Sequence, residues 1–206
     1  MELDLKILLE KYNLSPRGVI NIGCHYFQER ELFMSIGLKK YLLFEPQIHA
    51  FKEAHKRIAG LDCILINCAL SDKEGKAEMY CDDVNVNLGA SSSLLKPEKH
   101  IERFPLVKFD HKEQVIVHRL DDIKFDRKDY DMIFIDVQGN ELNVFKGATD
   151  TLKNINCIFT EVNFELLYKD CVLVNELDSF LSLYNFKRVE TGKDLGGFTD
   201  AMYIKI

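Results

Sequence analysis

Tyr130-Asp-Met-Ile-Phe-Ile-Asp-Val-Gln-Gly-Asn-Glu141 is the stretch that decides the fold. Its Met132–Ile135 core is wholly apolar, which predicts a short strand buried on both faces. The run stops at Asp136 and turns through Gly139 into a helix over 140–147. Such a unit belongs to an open parallel sheet, where ligands sit at the carboxyl ends of the strands. Asp136 stands at one of those ends.

Working outward, the same alternation recurs. Residues 18–22 predict a strand, 26–36 a helix ending at Gly37, 41–44 a strand and 48–58 a helix ending at Gly60. A strand over 63–70 follows. Downstream, 114–119 and 158–162 predict strands, and 172–184 contains a helix. Segments 186–190 and 201–206 predict an antiparallel hairpin around a 192–197 loop. Leu3, Leu5, Leu8, Leu9 and Tyr12 lie at helical spacing, which predicts an N-terminal helix within 1–16. Residues 76–81 alternate like an edge strand. Residues 82–112 are polar, with Asn85, Asn87, Gly89 and Ser91-Ser-Ser93, and predict a long loop with short helical pieces. Loops of that length are usually functional or mobile. The expectation is one α/β domain over 1–206, a mostly parallel sheet with helices on both faces.

Composition narrows the function classes. A chain of 206 residues with 47% hydrophobic content suits one domain with a substantial core. The net charge of −6 argues against nucleic-acid binding, which needs a basic surface. No apolar run is long enough to span a bilayer, and Met1-Glu-Leu-Asp-Leu-Lys6 is no signal peptide. The six cysteines form no C-x-x-C pair, and Cys63, Cys68 and Cys157 sit in apolar runs. Buried reduced thiols and a cytoplasmic location are therefore expected.

Several residues carry candidate chemistry. Gly23 ends the first strand, where a glycine lets a ligand approach the backbone, although no G-x-G-x-x-G is present. Glu45 follows twenty-two positions later at the tip of the second strand, before Pro46. An acid there can bind both hydroxyls of a ribose, or simply favour a helix N-terminus. Small residues in Asn67-Cys-Ala-Leu70 leave room for an adenine ring, although Ser71 and Asp72 equally suit a plain turn. Asp136, followed by Gln138 and Glu141, and Glu161 within an apolar run are carboxylates that need a partner or a function. They can bind a sulfonium, accept a hydroxyl proton or hold a metal, the alternative being hydrogen bonds to loop amides. His25 is placed to touch a cofactor or cap a helix. For His100 and His111, approach to a substrate and a solvated surface role both stay open.

Taken together, these segments resemble the FkbM family of methyltransferases that use S-adenosylmethionine (SAM). The similarity rests on 19–25, Phe44-Glu-Pro-Gln47 with Phe51, Asn67-Cys-Ala-Leu-Ser-Asp-Lys-Glu-Gly75, Ser91-Ser-Ser-Leu94, Arg119-Leu-Asp121, Ile135-Asp-Val-Gln-Gly-Asn-Glu-Leu142 with Lys146-Gly-Ala148, Glu161 and Tyr184-Asn-Phe186. It implies a Rossmann-like, seven-stranded sheet with an antiparallel last strand. It also implies that Asn21, Gly23 and His25 line the methionine part of SAM, and that Glu45 and Pro46 border the ribose. Asn67, Ala69 and Leu70 would border the adenine, and Asp136, Val137 and Gln138 the transferred methyl. Two positions depart from the family: Asn21 replaces an aspartate able to pair with the SAM amino group, and Phe27 replaces a glycine and is expected to narrow the loop.

The resemblance implies O-methylation of a carbohydrate hydroxyl, a deoxyhexose among the candidates. Asp136 is the expected base or metal ligand and Glu161 the second catalytic group. The 82–112 loop is expected to cover the acceptor, with Ser92, Ser93 and His100 near it. Asp121, Asp122, Asp136 and Glu161 supply oxygen donors for magnesium if they converge. Two alternatives stand: methylation of a lipid or small-molecule hydroxyl, and a non-catalytic SAM-binding scaffold. A compact transferase without tail or linker is also compatible with one domain of a larger glycan-building polypeptide.

Overall fold

The computed structural model describes residues 2–84 and 88–206; Asn85 and Asn87 lie outside them. The chain runs through α1 (Leu5–Lys11), β1 (Gly18–Ile22), α2 (Arg30–Ser35), β2 (Lys40–Phe44), α3 (Ile48–Arg57) and β3 (Asp62–Ile66). It continues with β4 (Ala69–Leu70), β5 (Gly75–Cys81), α4 (Lys99–Arg103), β6 (His111–His118), β7 (Met132–Ile135) and α5 (Glu141–Lys146). Then come β8 (Cys157–Asn163), α6 (Val174–Ser182), β9 (Phe186–Thr191) and β10 (Phe198–Lys205).

Among the described residues, seven strands form one sheet in the order β3-β2-β1-β7-β8-β10-β9. The first five pair in parallel. β10 runs antiparallel to both its neighbours, as the hairpin reading expects. The order reverses between β1 and β7, which opens a crevice at their carboxyl ends. β1 is buried at all five positions because it is central and covered on both faces. Its alternate side chains feed two cores: Ile20 and Ile22 join Ile133 and Phe145 on one face, Val19 joins Phe33 and Phe134 on the other.

Three expectations are corrected. The helix expected over 26–36 begins only at Arg30, because His25 (φ 48°) and Phe27 (φ 55°) adopt left-handed backbone that breaks a helix. The strand expected over 63–70 splits: β3 stays in the main sheet and β4 enters a smaller sheet, β4-β6-β5. Asn67 makes the turn by donating from Nδ2 to the carbonyls of Glu45 (2.8 Å) and Pro46 (3.0 Å). Finally, the segment read as a loop over 82–112 ends where β6 starts at His111, and bridges Tyr80–Ser93 and Pro97–Tyr168 pin it to the body.

Gly147 shows why the Lys146-Gly-Ala148 element matters. A Cβ there would lie 2.1 Å from the Ser71 carbonyl oxygen, and the Gly147 carbonyl accepts from the Asp121 amide at 3.0 Å. The glycine lets the end of α5 press against the β4 turn. Gly147→Ala is expected to destabilise the fold by ~1–3 kcal/mol through overpacking; urea unfolding of the variant and parent measures it.

Candidate active site

A cavity of about 510 Å³ opens where β1, β2, β7 and β8 end. A second, of about 320 Å³, adjoins it, and the two share Asp136, Gln138 and Glu161 as walls. Five carboxylates line the larger chamber, Glu29, Glu45, Asp136, Glu161 and Asp200, with no lysine or arginine among its described lining residues.

Glu45 is buried at the tip of β2. Its Oε2 accepts from the His25 amide and its Oε1 from the Gln47 amide, both at 2.8 Å. Burial pushes its pKa up to about 7 against those two amides. The His25 ring meets the Leu88 carbonyl through Nε2 at 2.7 Å and stacks on Tyr26, tying the 88–89 turn over this end. Gly23 (φ 78°) is required here: a Cβ would lie 2.0 Å from the Asp136 carbonyl oxygen, so β1 and β7 meet only through glycine.

Asp136 projects its carboxyl into cavity space, accessible to a ligand yet enclosed by protein that raises its pKa by desolvation. Gln138, held at φ 55°, donates from Nε2 to Asp136 Oδ1 (2.6 Å) and lies 3.5 Å from Glu161 Oε2. Its own Oε1 accepts from the buried Tyr168 hydroxyl at 3.0 Å. Behind them, Glu141 Oε1 caps the turn by accepting from the Val137 and Gly139 amides, both at 3.1 Å, while its Oε2 has no partner. Glu161 is held well above the carboxylate range by burial first and by Asp136 and Glu141 next. Glu161 therefore keeps a proton where Asp136, open to the chamber, is the group able to receive one.

The smaller chamber holds His100, which is buried rather than solvated. Its ring packs among Phe104, Phe109 and Tyr168 at 5.0–5.3 Å, and its Nδ1 lacks a hydrogen bond. Burial lowers its pKa, so the ring is neutral near pH 7. Ser92 and Ser93, expected beside the acceptor, line the larger chamber. Ser92 donates to Asp82 Oδ1 (2.7 Å) and Ser93 to the Gln138 carbonyl (2.8 Å).

Other expected residues separate. Pro46, Ala69, Leu70 and Val137 line the larger chamber, whereas Asn21 and Asn67 lie behind its wall. Phe27 does not narrow the site, because its ring points into the core against Phe33 and Tyr41. Asp121 and Asp122 do not join Asp136 and Glu161. Asp121 accepts from Asp150 and Thr151, and Asp122 pairs with Arg119. The carboxylates that do converge are Asp136, Glu141 and Glu161, with one oxygen of each within 4.8 Å of the others, a set able to hold a small divalent ion. Sequence reasoning missed Tyr168, Glu29 and Asp200. Asp200 was findable from the hairpin, since β10 sets it opposite Glu161. Tyr168 lies in irregular chain and carried no signal.

A family model described as the methyltransferase FkbM domain matches residues 21–188. The chain is 28% identical over 158 residues to the 2-O-methyltransferase NoeI of Sinorhizobium fredii (strain NBRC 101917 / NGR234), covering 73% of this chain and 65% of that protein. It thus spans just under two thirds of that relative's length. Methyltransferase FkbM from Methylobacillus flagellatus KT superposes with a TM-score of 0.58 at 13% identity, over 92% of this chain and 44% of that one. Magnesium protoporphyrin IX methyltransferase (ChlM) from Synechocystis PCC 6803, with bound SAM, gives 0.56 at 9% identity, over 98% and 77%. The shared feature is the Rossmann-like methyltransferase fold.

The buried acids set a pH dependence. Burial raises Glu141 from its ordinary 4.5 to about 7. Its protonated form favours the fold, so its contribution is full below about pH 4.5 and is lost as pH rises through about 7. Glu141→Gln keeps an oxygen for the two amides and removes the charge. The variant is expected to exceed the parent in stability by ~1–3 kcal/mol at pH 8, with a smaller difference at pH 5, in urea unfolding.

Proposed function

The chain belongs to the FkbM methyltransferase family, and on that premise we propose that it transfers a methyl group from SAM to a hydroxyl of a carbohydrate. The observation that carries this reading is the pair of chambers meeting at Asp136, Gln138 and Glu161. The larger has walls bearing five carboxylates and no lysine or arginine among the described lining residues. Those walls suit a ligand with a sulfonium and an ammonium and repel a nucleotide diphosphate. A volume of about 510 Å³ lies in the ordinary range for cofactor sites. Glu45 supplies two oxygens for ribose hydroxyls, and Ala69 and Leu70 a small apolar wall for adenine.

When bound, SAM supplies an electrophilic methyl carried on a positively charged sulfur. The residues of this chain do the rest. Asp136 accepts the hydroxyl proton of the acceptor. Gln138 fixes the Asp136 carboxylate through its Nε2. Glu161, protonated, offers a hydrogen bond and spares Asp136 a second negative charge. The smaller chamber seats the acceptor, with Phe104 and Phe198 as a ring-stacking wall and His100 beside them. The name of NoeI, a 2-O-methyltransferase, supports oxygen as the methylated atom.

Asp136→Asn is expected to lower turnover by at least ~10²-fold while leaving SAM affinity within several-fold, read by methyl transfer from labelled SAM and by calorimetry. Full turnover in that variant removes Asp136 from the role of base. Screening deoxyhexose-containing glycans against hydroxylated lipids separates the acceptor classes, and SAM binding without transfer to any acceptor favours a scaffold.

A second reading keeps the same residues. Asp136, Glu141 and Glu161 converge closely enough to hold magnesium, which would acidify the acceptor hydroxyl. Turnover lost on treatment with EDTA and restored by magnesium selects it; turnover unchanged by EDTA selects the proton-transfer route.

A further inference from the structure

The cofactor assigned above carries a second cation, the α-ammonium of its amino-acid end. The resemblance provides an aspartate for that group at position 21, where this chain has Asn21. We propose that Glu29, held beside the Asn21 amide, receives the α-ammonium and takes over that ionic role. The proposal rests on the SAM reading of the larger chamber.

The backbone brings Glu29 there. Left-handed residues His25 and Phe27 delay α2 until Arg30, so Glu29 ends the turn rather than lying in a helix. It lines the larger chamber beside Leu32 and Phe134. Asn21 sits on the β1 face opposite Phe134 in register and is 1% exposed. Its amide approaches the Glu29 carboxyl and favours the anion, yet neither amide atom forms a well-shaped hydrogen bond. A buried amide left this way is rare unless a ligand or water completes it.

The other four carboxylates on the wall already have donors. Glu45 has the His25 and Gln47 amides. Asp136 and Glu161 share Gln138. Asp200 accepts from the amides of Glu2 and Leu3. Glu29 has no ion pair among the described residues. Its neighbour Arg30 turns away to Glu31 and to the Arg57 carbonyl. Beyond its own backbone amide and the Asn21 amide, Glu29 has oxygen lone pairs open to an ammonium, in a desolvated position where an unpaired anion is costly. Burial raises its pKa, as expected of an acid waiting for a cation.

Two nucleosides separate this role from a structural one. S-adenosylhomocysteine carries the amino-acid end; 5′-methylthioadenosine has the same nucleoside and thioether without it. By calorimetry, Glu29→Gln is expected to weaken S-adenosylhomocysteine about 10- to 100-fold and to leave methylthioadenosine within about twofold. Asn21→Asp added to Glu29→Gln is expected to restore part of the loss. Unchanged S-adenosylhomocysteine affinity in Glu29→Gln, or equal weakening of both nucleosides, overturns the proposal. Parent protein that binds neither nucleoside overturns the cofactor reading itself, a result distinct from the other two.

Discussion

A wall of carboxylates with no lysine or arginine among its described residues is the constraint around which this molecule is arranged. Glu29, Glu45, Asp136, Glu161 and Asp200 face one chamber, and Glu141 stands directly behind it. Burying an ionised carboxylate is unfavourable unless donors surround it. The fold answers with backbone amides at Glu45, Glu141 and Asp200, with Gln138 between Asp136 and Glu161, and with protons held on the most enclosed acids. These devices reduce the negative charge of the chamber but add no positive charge to it. A ligand that brings positive charge does add it, which ties recognition and stability to the same groups.

Positioning those acids falls to the sheet. Asp136 and Glu45 sit just past the ends of β7 and β2, Glu161 lies near the end of β8, and the reversal of strand order beside β1 leaves the space between them open. Gly23 lets β1 and β7 close to contact, and Gly147 lets α5 close on the β4 turn. The two cores, one on each face, hold the strand ends rigidly enough for Gln138 to bridge two carboxylates from a left-handed backbone. Rigidity of this kind is what positions a base for proton transfer.

Strand and helix identity was legible because apolar runs and glycine punctuation are local signals. Met132–Ile135 is the clearest example, and the sheet it implied is present. Asp136, Glu45 and Glu161 were legible for the same reason, since Asp136 and Glu45 directly follow apolar strands and Glu161 interrupts one. What was not legible depends on contacts distant in sequence or on backbone sign. Phe27 stands where the family has glycine and keeps a glycine-like φ, but nothing in the sequence told that its ring would swing into the core. His100 read as polar loop, yet it is buried because Tyr168, Phe104 and Phe109 close on it. Asp121 read as one of four oxygen donors whose convergence was open, and it serves the turn at Thr151.

Position 21 joins these strands of argument. An aspartate there would place one more charge inside β1, at 1% exposure, beneath a wall already crowded with acids. Asparagine keeps the polar contact and removes that charge, while Glu29, partly exposed on the chamber wall, carries it where a ligand can reach. The exchange separates the supporting amide from the charged group. It lowers the number of anions that the empty fold must bury without reducing what the chamber presents to a cation. A departure from the family pattern that looks like damage in the sequence is, in three dimensions, a relocation of charge by one turn of irregular backbone.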